Sequence, residues 1–326
     1  MRVCVYGAGA IGGHLAVRLA RSGADVSVIA RGSHLQAIQH NGLTVRAIDG
    51  EHRVRVRATD QPAELGVQDA VLVTVKAPSL PQLAKGIGPL LHAQTPVAFV
   101  MNGIPWWYFH GLPGPHADTR LPRIDPADAL WNAVGPHRTI GGVVYSASAV
   151  TEPGIIEVEQ PRSRVVLGEP DGSMTERTEV LVGLLSKGGI IGEATPDIRT
   201  EIWNKLLGNL AGGTLAVLTG TAPRTVYAEP AAEAAGLRVM QEAAEIAETL
   251  GSKPDRNFQR RIGNARSMDH KPSILQDLEL GRPMEVDGLF DAPLQLARIA
   301  GVQAPTLELL VALAKLRARS AGLYSG

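Results

Sequence analysis

Three glycines near the amino terminus have a spacing that can hold a phosphate group. Gly7, Gly9 and Gly12 follow the strand-like run Arg2 to Tyr6 and open the helix-like run Ile11 to Ser22. In this context the first glycine permits a tight turn, the second lets the backbone approach a pyrophosphate, and the third lets the helix pack on the strand. Helix N–H groups and the helix dipole then face the anion. The sequence therefore predicts a dinucleotide site at Gly7-Ala8-Gly9-Ala10-Ile11-Gly12, and a purely structural glycine turn is the alternative.

An arginine follows the second predicted strand. The run Ala24 to Ala30 is typical of a buried strand, and Arg31 comes directly after it. At this position an acidic residue binds the ribose 2′-hydroxyl of NAD, whereas an arginine accommodates the 2′-phosphate of NADP. The planar guanidinium offers several donors to a phosphate. Arg31 therefore favours NADP(H), and an ordinary surface charge is the alternative.

Polar residues also follow two later apolar runs. Lys76 comes directly after Val71 to Val75, and Asn102 comes directly after Val97 to Met101. In an open α/β sheet, ligands bind beyond the carboxyl ends of the strands. We therefore expect both side chains to bind cofactor or substrate, while a capping or turn role is open for either residue alone.

A lysine and an amide have the spacing of one helix face. Lys205 lies in the mainly apolar run Ile202 to Leu207, and Asn209 follows it by four residues, which is about one helical turn. Reduction of a carbonyl needs a group that stabilises the developing alkoxide and then donates a proton. Lysine does both when burial or neighbours lower its pKa. From these residues alone, a surface lysine that extends over apolar side chains is an equal alternative.

The elements that must position these residues alternate in type over the first part of the chain. Strand candidates at Ala70–Val75 and Pro96–Met101 flank a helical segment at Gln82–Leu91. This alternation predicts an α/β fold with a Rossmann-like, doubly wound parallel sheet. The β-rich segment Ile140 to Leu167 predicts antiparallel strands appended to that sheet.

Helical patterns replace strand patterns in the last part of the chain. The segments Ala231–Leu250 and Thr306–Arg319 are rich in good helix formers, and Pro196 marks the predicted domain boundary. The sequence therefore predicts an NADP-binding Rossmann-like domain at 1–196 and a mostly α-helical substrate and catalytic domain at 197–326.

The segment from Gly103 to Gly135 fits neither pattern. It is rich in proline and contains the aromatic run Trp106 to Phe109. Loops of this length are uncommon unless they have a functional or linker role. Two interpretations stay open: a lid or contact surface, and an Ω-like loop that packs its own aromatic side chains.

The composition restricts the class of partner. The 32 basic and 32 acidic residues cancel, so no net field attracts nucleic acid or an anionic membrane. No apolar run approaches the roughly 20 residues that span a bilayer, and glycines and arginines interrupt the apolar amino terminus. We therefore expect a cytoplasmic protein with a small-molecule substrate.

Metal and disulfide chemistry have no sequence support. Cys4 is the only cysteine and lies in a predicted buried strand, which predicts an inert thiol. The nine histidines form no close HxxxH or HExxH pair, so no metal site is predicted. The alanine- and leucine-rich C-terminal helices suit either an internal core or a homodimer interface.

Several motifs together resemble a known enzyme family, the ketopantoate reductases or 2-dehydropantoate 2-reductases. The resemblance covers most of the chain except the segment after Asn102. The residues that carry it are Gly7-x-Gly9-x-x-Gly12, Arg31, Lys76, Asn102-Gly103, Trp203-x-Lys205-Leu206, Ser273-Ile274-Leu275-Gln276-Asp277 and Glu285-Val286-Asp287.

The resemblance implies NADPH-dependent reduction of the 2-oxo acid ketopantoate to pantoate, a step in pantothenate biosynthesis. It implies that Lys205 is the general acid and that Glu285 is the acidic residue beside it. Hydrogen bonds to the substrate would come from Asn102, Asn209 and Ser273, and Lys76 would lie where cofactor and substrate meet. The alternatives for Ser273 and Glu285 are a helix cap and a surface carboxylate.

One departure from the family pattern affects the substrate. Family members often carry a second amide one turn beyond Asn209, in an Asn-Pro-Leu-Thr stretch, whereas this chain has Gly212-Gly213-Thr214-Leu215. A site built around a polar substrate is sensitive to the loss of one hydrogen bond. Three functions therefore stay open: ketopantoate reductase, a related NADPH reductase of another 2-oxo acid or bulkier ketone, and an NADPH sensor without turnover.

Overall fold

The computed structural model describes residues 1–325, which form two compact units. The first unit contains Met1–Met101 and Pro105–Ile198, and the second contains Asn102–Ile104 and the chain from Arg199 onward. The short segment around Asn102 therefore groups with the helical unit, although the sequence analysis assigned it to the first domain. The cause is a backbone hydrogen bond that the Ile104 N–H donates to the Gly288 carbonyl.

Among the described residues, twelve strands form two sheets. The strands are β1 (Arg2–Tyr6), β2 (Asp25–Ile29), β3 (Leu43–Ala47), β4 (Gly50–Val54), β5 (Arg57–Thr59), β6 (Ala70–Val73), β7 (Val97–Val100), β8 (Thr139–Tyr145), β9 (Ser148–Glu152), β10 (Ile155–Val158), β11 (Arg164–Gly168) and β12 (Ile191–Ala194). The main sheet has the order β12-β11-β8-β7-β6-β1-β2-β5, and all its neighbours are parallel except β11 and β8.

The central strands of the main sheet are apolar because both sheet faces are buried. Every residue of β6 and of β7 is buried, as is Cys4 in β1. Burial raises the pKa of the Cys4 thiol to about 12, which suits an inert core residue. The predicted Rossmann-like parallel sheet is confirmed.

The prediction for Ile140 to Leu167 is wrong in part. Only β8 and β11 from this segment join the main sheet, and only β11 is antiparallel there. Strands β9 and β10 instead form a second sheet with β3 and β4, in the order β4-β3-β10-β9. The second sheet packs on the helix that follows β1. Gly13 of that helix lies so close to β10 that a Cβ on it would be 2.0 Å from Cδ1 of Ile156. Strands β9 and β10 therefore pack against this helix and do not extend the edge of the main sheet.

Twelve α-helices complete the described fold. They are α1 (Ala10–Arg21), α2 (Gly32–Asn41), α3 (Leu80–Gly86), α4 (Ala129–Ala133), α5 (Glu176–Lys187), α6 (Ile198–Thr219), α7 (Pro223–Val226), α8 (Pro230–Thr249), α9 (Phe258–Arg266), α10 (Ser273–Glu279), α11 (Ala292–Ala300) and α12 (Pro305–Ser320). A π-helical turn at Asp287–Asp291 precedes α11. Along the described chain, no helix combines the length and apolarity that crossing a bilayer requires.

The aromatic segment after Ile104 is packed rather than open. Trp106, Trp107, Tyr108 and Phe109 are each at most 2% exposed. The Trp106 ring contacts Trp131 edge to face, at 5.8 Å between centroids. The segment therefore matches the interpretation of an Ω-like loop that packs its own aromatics, and these four rings present no apolar contact surface.

Candidate active site

The glycine loop between β1 and α1 has the backbone shape that a pyrophosphate requires. Gly7 has φ +107°, which favours glycine, and a Cβ there would lie 2.7 Å from Cγ1 of Val75. A Cβ on Gly9 would meet no described atom within 4 Å, so the space beside its backbone is open. A Cβ on Gly12 would lie only 2.0 Å from the Gly7 carbonyl oxygen. The three glycines thus provide the turn, the open approach and the close helix contact that the spacing predicts.

The first turn of α1 supplies donors at this loop. Gly9 caps the helix and has no side chain that could accept the free backbone N–H groups. As in any α-helix, the first-turn N–H groups, here those of Ala10 and Ile11, have no acceptor within the helix. An anionic group at this end of α1 is therefore favoured by hydrogen bonding and by the helix dipole.

Two side chains that sequence reasoning missed hold the glycine loop. The Thr74 hydroxyl donates to the Gly7 carbonyl at 2.7 Å. Nε2 of His34 donates to the Ala8 carbonyl at 2.7 Å, while its Nδ1 accepts the Gly154 N–H at 3.0 Å. The Gly154 N–H needs an acceptor, which fixes the imidazole as the neutral tautomer with its proton on Nε2. These contacts join residues far apart in sequence, so no local pattern predicted them.

Two cations follow strands of the parallel sheet at their carboxyl ends. Arg31 is exposed and directly precedes α2. Burial raises the pKa of the Tyr6 phenol and the charge of Arg31 opposes this rise, so Arg31 lies near the end of β1. Lys76 is exposed and follows β6, which pairs with β1 on its other side. Both positions are at the ligand-binding edge of a doubly wound sheet.

In the helical unit, Lys205 and Asn209 lie one turn apart on α6. Both residues are partly buried, and the neighbouring Leu206 and Leu210 are almost completely buried. The pKa of Lys205 is lowered to about 8. Burial causes the fall, and the negative charge of Glu285 opposes it in part. Glu285 is only 7% exposed. This environment differs from that of a lysine that merely covers apolar surface, because a buried carboxylate acts on its charge.

The segment around Asn102 is fixed next to the Glu285 region. The Ile104 N–H donates to the Gly288 carbonyl at 3.0 Å. Gly103 has φ +86°, and a Cβ there would lie 2.5 Å from the same oxygen, so only glycine fits. Oδ1 of Asn102 is buried without a hydrogen-bond partner among the described residues. A buried acceptor of this kind is suited to a donor on a ligand.

Ser273 is the first residue of α10. It is exposed, and the residue in the cap position is Pro272. The alternative that Ser273 is the helix cap is therefore wrong. Its hydroxyl lies in the first turn of a short helix whose next residues, Ile274 and Leu275, are buried.

Gly213 lies where α6, the start of α10 and the π-helical turn meet. It lies one turn beyond Asn209 on α6. A Cβ on Gly213 would lie 3.5 Å from Cγ2 of Ile274 and 3.6 Å from Cε1 of Phe290, both ordinary van der Waals distances. The start of α10 and the π-helical turn therefore both reach α6 one turn beyond Asn209, and the lining there is apolar.

The π-helical turn beyond Glu285 is tied to the end of the chain. The Tyr324 hydroxyl lies 2.8 Å from Oδ1 of Asp287 and 3.0 Å from Oδ2 of Asp291. Nζ of Lys315 lies 2.7 Å from both carboxylate oxygens of Asp291. Asp287 belongs to a motif seen in the sequence, but nothing local indicated Tyr324.

Comparison with known proteins gives the family of this arrangement. The model of the family "Ketopantoate reductase PanE/ApbA" matches residues 3–172, and the model "Ketopantoate reductase PanE/ApbA C terminal" matches residues 197–318. The chain belongs to the ketopantoate reductase family. It is accordingly an oxidoreductase of the 2-dehydropantoate 2-reductase type.

Similar proteins cover the whole chain. A 2-dehydropantoate 2-reductase from Mesorhizobium japonicum is 43% identical over 327 residues, which is 100% of both chains. A solved candidate ketopantoate reductase from Ralstonia solanacearum MolK2 is 37% identical, covers 99% of each chain and has a TM-score of 0.93. A solved 2-dehydropantoate 2-reductase from Geobacter metallireducens is 28% identical, with 97% of this chain and 99% of that chain covered and a TM-score of 0.85.

For this ketopantoate reductase family member, the helical unit brings together residues that the sequence analysis named separately. Glu285 acts on the charge of Lys205, and the Asn102 segment is bonded three residues beyond Glu285. In the first unit, the glycine loop and Arg31 lie at the carboxyl ends of adjacent strands.

Proposed function

We propose that the chain reduces 2-dehydropantoate to pantoate with NADPH, a step of pantothenate biosynthesis. The observation that carries this proposal is the pair Lys205 and Glu285, in which a buried carboxylate lies near a lysine of pKa about 8. A general acid works best when its pKa lies near the operating pH. The family membership of the chain supports the choice of substrate.

The glycine loop and Arg31 support NADPH as the cofactor. The open space at Gly9 and the close contact at Gly12 suit a pyrophosphate at the start of α1. Arg31 is exposed at the end of β2 and offers a fork of donors to a 2′-phosphate. Lys76, after β6, is the further cation that we assign to the nicotinamide side of the cofactor. When bound, NADPH supplies the hydride for the carbonyl carbon.

Lys205 would handle the proton of this reaction. Its ammonium hydrogen-bonds the ketone oxygen, stabilises the negative charge that develops there, and donates a proton to give the hydroxyl. The neutral amine then regains a proton from solvent below its pKa of about 8. Glu285 keeps that pKa from falling further under the effect of burial.

Three neutral polar side chains would orient the substrate. Asn209 shares a helix face with Lys205, Asn102 has a buried acceptor without a hydrogen-bond partner among the described residues, and Ser273 is exposed. Amides and hydroxyls match the carboxylate, carbonyl and hydroxyl groups of a hydroxylated 2-oxo acid. We therefore assign substrate binding to the helical domain, 197–326 together with the Asn102 segment, and cofactor binding to the remainder of 1–196.

A second candidate is reduction of a 2-oxo acid with a larger apolar side chain. The observation that favours it is the apolar contact of Gly213 with Ile274 and Phe290, one turn beyond Asn209. Because residue 213 is glycine, a methyl group would fit beside its Cα at ordinary van der Waals distances from Ile274 and Phe290. An aromatic neighbour and no amide suit an apolar group better than a hydroxyl.

The test is an NADPH-oxidation assay with 2-dehydropantoate and a panel of 2-oxo acids. The panel contains pyruvate, the branched 2-oxo acids and phenylglyoxylate, and kcat/KM is measured for each. Preference for 2-dehydropantoate supports the first candidate. Turnover of a bulkier acid without turnover of 2-dehydropantoate overturns it in favour of the second. Tight NADPH binding without reduction of any carbonyl compound overturns both and leaves a sensor.

A further inference from the structure

Helix α12 exposes a stripe of large leucines. Leu309, Leu313 and Leu316 are 59%, 40% and 58% exposed, while Leu307 and Leu310 of the same helix are at most 9% exposed. Steps of four and three residues place the exposed leucines on one helix face. Large apolar side chains that cluster at a surface, rather than being scattered singly, indicate an interaction site.

The helix that presents this stripe is fixed at both ends. The Glu242 carboxylate, on α8, accepts the N–H groups of Thr306 and Leu307 at 3.0 and 2.8 Å and so caps the start of α12. Lys315 bonds Asp291 at 2.7 Å near the other end. A rigid surface loses little conformational entropy on association.

Charges on one flank of the stripe have opposite signs at its two ends. Glu308 and Arg319 are exposed and eleven residues apart, which is about three turns at 3.6 residues per turn, so they share a flank. Arg317 is exposed on the opposite flank. Because the acidic end and the basic end lie on the same flank, this surface is complementary in charge to an antiparallel copy of itself.

We propose that α12 forms a two-fold symmetric dimer interface with α12 of a second copy of this chain. With the axis near Leu313, Glu308 lies opposite Arg319 of the partner subunit, and Leu313 packs against the partner's Leu313. Leu309 inserts beside the partner's Leu316. Such an isologous arrangement uses one surface twice. A parallel alignment is disfavoured because it sets like charges side by side.

The leucine stripe would be the centre of the interface. Three leucines bury much less than the roughly 800 Å² per partner of a standard interface, so surrounding surface must contribute area. The energy of an interface is concentrated in its central apolar residues, while charges at the rim set orientation. Leucine substitutions therefore test whether α12 is the interface, and charge substitutions test how the two helices are aligned.

Sedimentation velocity of the full chain, over a range of concentrations from submicromolar to tens of micromolar, tests the proposal. The wild-type chain should dimerise, and Leu313→Glu, which sets two carboxylates near the axis, should make it monomeric. Glu308→Arg and Arg319→Glu should each raise the dimer dissociation constant by about tenfold, since each change occurs twice in a symmetric dimer. The double variant restores opposite charges and should return to within about threefold of wild type.

Arg317→Glu is the matched control, because it reverses a charge on the same helix but on the other flank. It should change the dissociation constant by less than about threefold. Unchanged melting temperatures show that the variants are folded. A monomeric wild-type chain overturns the proposal. That is the result expected if α12 instead binds a lipid surface or an unrelated protein. A dimer that survives Leu313→Glu, or single charge reversals that the double variant fails to rescue, overturns it as well.

Discussion

The Glu285 carboxylate raises the pKa of the Lys205 ammonium, against the burial that lowers it to about 8. The two residues are eighty positions apart in sequence, and both belong to the helical unit. The relationship sets the pH at which Lys205 changes charge. It therefore leads to a prediction about the pH dependence of turnover.

We expect turnover to fall as the pH rises through about 8, because the general acid must be protonated and Lys205 loses its proton there. Glu285→Gln removes the charge that opposes burial, so the pKa of Lys205 falls and the alkaline limb moves to lower pH. Profiles of kcat and kcat/KM against pH measure this shift. Glu279→Gln, which alters an exposed carboxylate on α10, is the control. An alkaline limb that stays in place in Glu285→Gln would remove Glu285 from this role.

Lys205→Ala separates chemistry from cofactor binding. Loss of a general acid typically lowers turnover by about 10²- to 10⁴-fold. The NADPH dissociation constant should stay close to wild type, since the glycine loop and Arg31 lie in the other unit. Steady-state kinetics and NADPH fluorescence titration give the two quantities. Lys253→Ala, at an exposed lysine, is the matched control, and wild-type turnover in Lys205→Ala would exclude the proposed mechanism.

Arg31→Ala tests the choice between NADPH and NADH. A hydrogen bond to a charged group contributes roughly 1.5–3 kcal/mol, so NADPH binding should weaken by about 10- to 100-fold. Binding of NADH, which has no 2′-phosphate, should change little. Arg55→Ala, at another exposed arginine of the same unit, is the control. Equal weakening of both cofactors by Arg31→Ala would contradict the 2′-phosphate assignment.

Features determined by neighbouring residues could be predicted from the sequence. The turn at Gly7, the start of α1 and the position of Arg31 all depend on a few adjacent residues whose types have strong conformational preferences. The pairing of Lys205 with Asn209 needs only the helical repeat. These elements are present in the structure within one or two residues of the predicted bounds.

Features determined by distant pairing could not be predicted. Strand β10 pairs with β3, so that Ile155 lies opposite Thr44, and nothing in either segment names the other as a partner. The same holds for His34, which joins Ala8 to Gly154. For this reason the predicted attachment of β9 and β10 to the main sheet is wrong. Register and sheet membership depend on which apolar surface the rest of the chain leaves uncovered.

A buried histidine predicts loss of stability in acid. His14 on α1 is 1% exposed, and burial followed by the charge of Arg18 lowers its pKa to about 4. In the unfolded chain this histidine titrates near pH 6.5. The folded state keeps His14 neutral, so its contribution to the free energy of unfolding is complete above pH 6.5 and is lost as the pH falls to about 4. At 1.36 kcal/mol per pH unit the loss amounts to about 3 kcal/mol.

Urea unfolding at pH 7 and at pH 4.5 measures this effect. In His14→Asn the part of the acid destabilisation that comes from this group should disappear, even if the variant is less stable at pH 7. His40→Asn, at an exposed histidine on α2, is the matched control. The same acid loss in wild type and His14→Asn would show that other groups are responsible.

The two glycines at either side of the first turn of α1 should respond differently to one added methyl group. A Cβ on Gly9, whose φ of −66° suits any residue, meets no described atom within 4 Å, so Gly9→Ala should leave the melting temperature unchanged. That methyl would occupy the open space assigned to the pyrophosphate, and NADPH binding should weaken by tenfold or more. In Gly12→Ala the methyl would lie 2.0 Å from the Gly7 carbonyl oxygen and 2.3 Å from the Thr74 hydroxyl, which should destabilise the fold by at least about 1–3 kcal/mol. Thermal unfolding and NADPH titration of both variants separate the roles, because a loop with no ligand function would give Gly9→Ala wild-type affinity as well as wild-type stability.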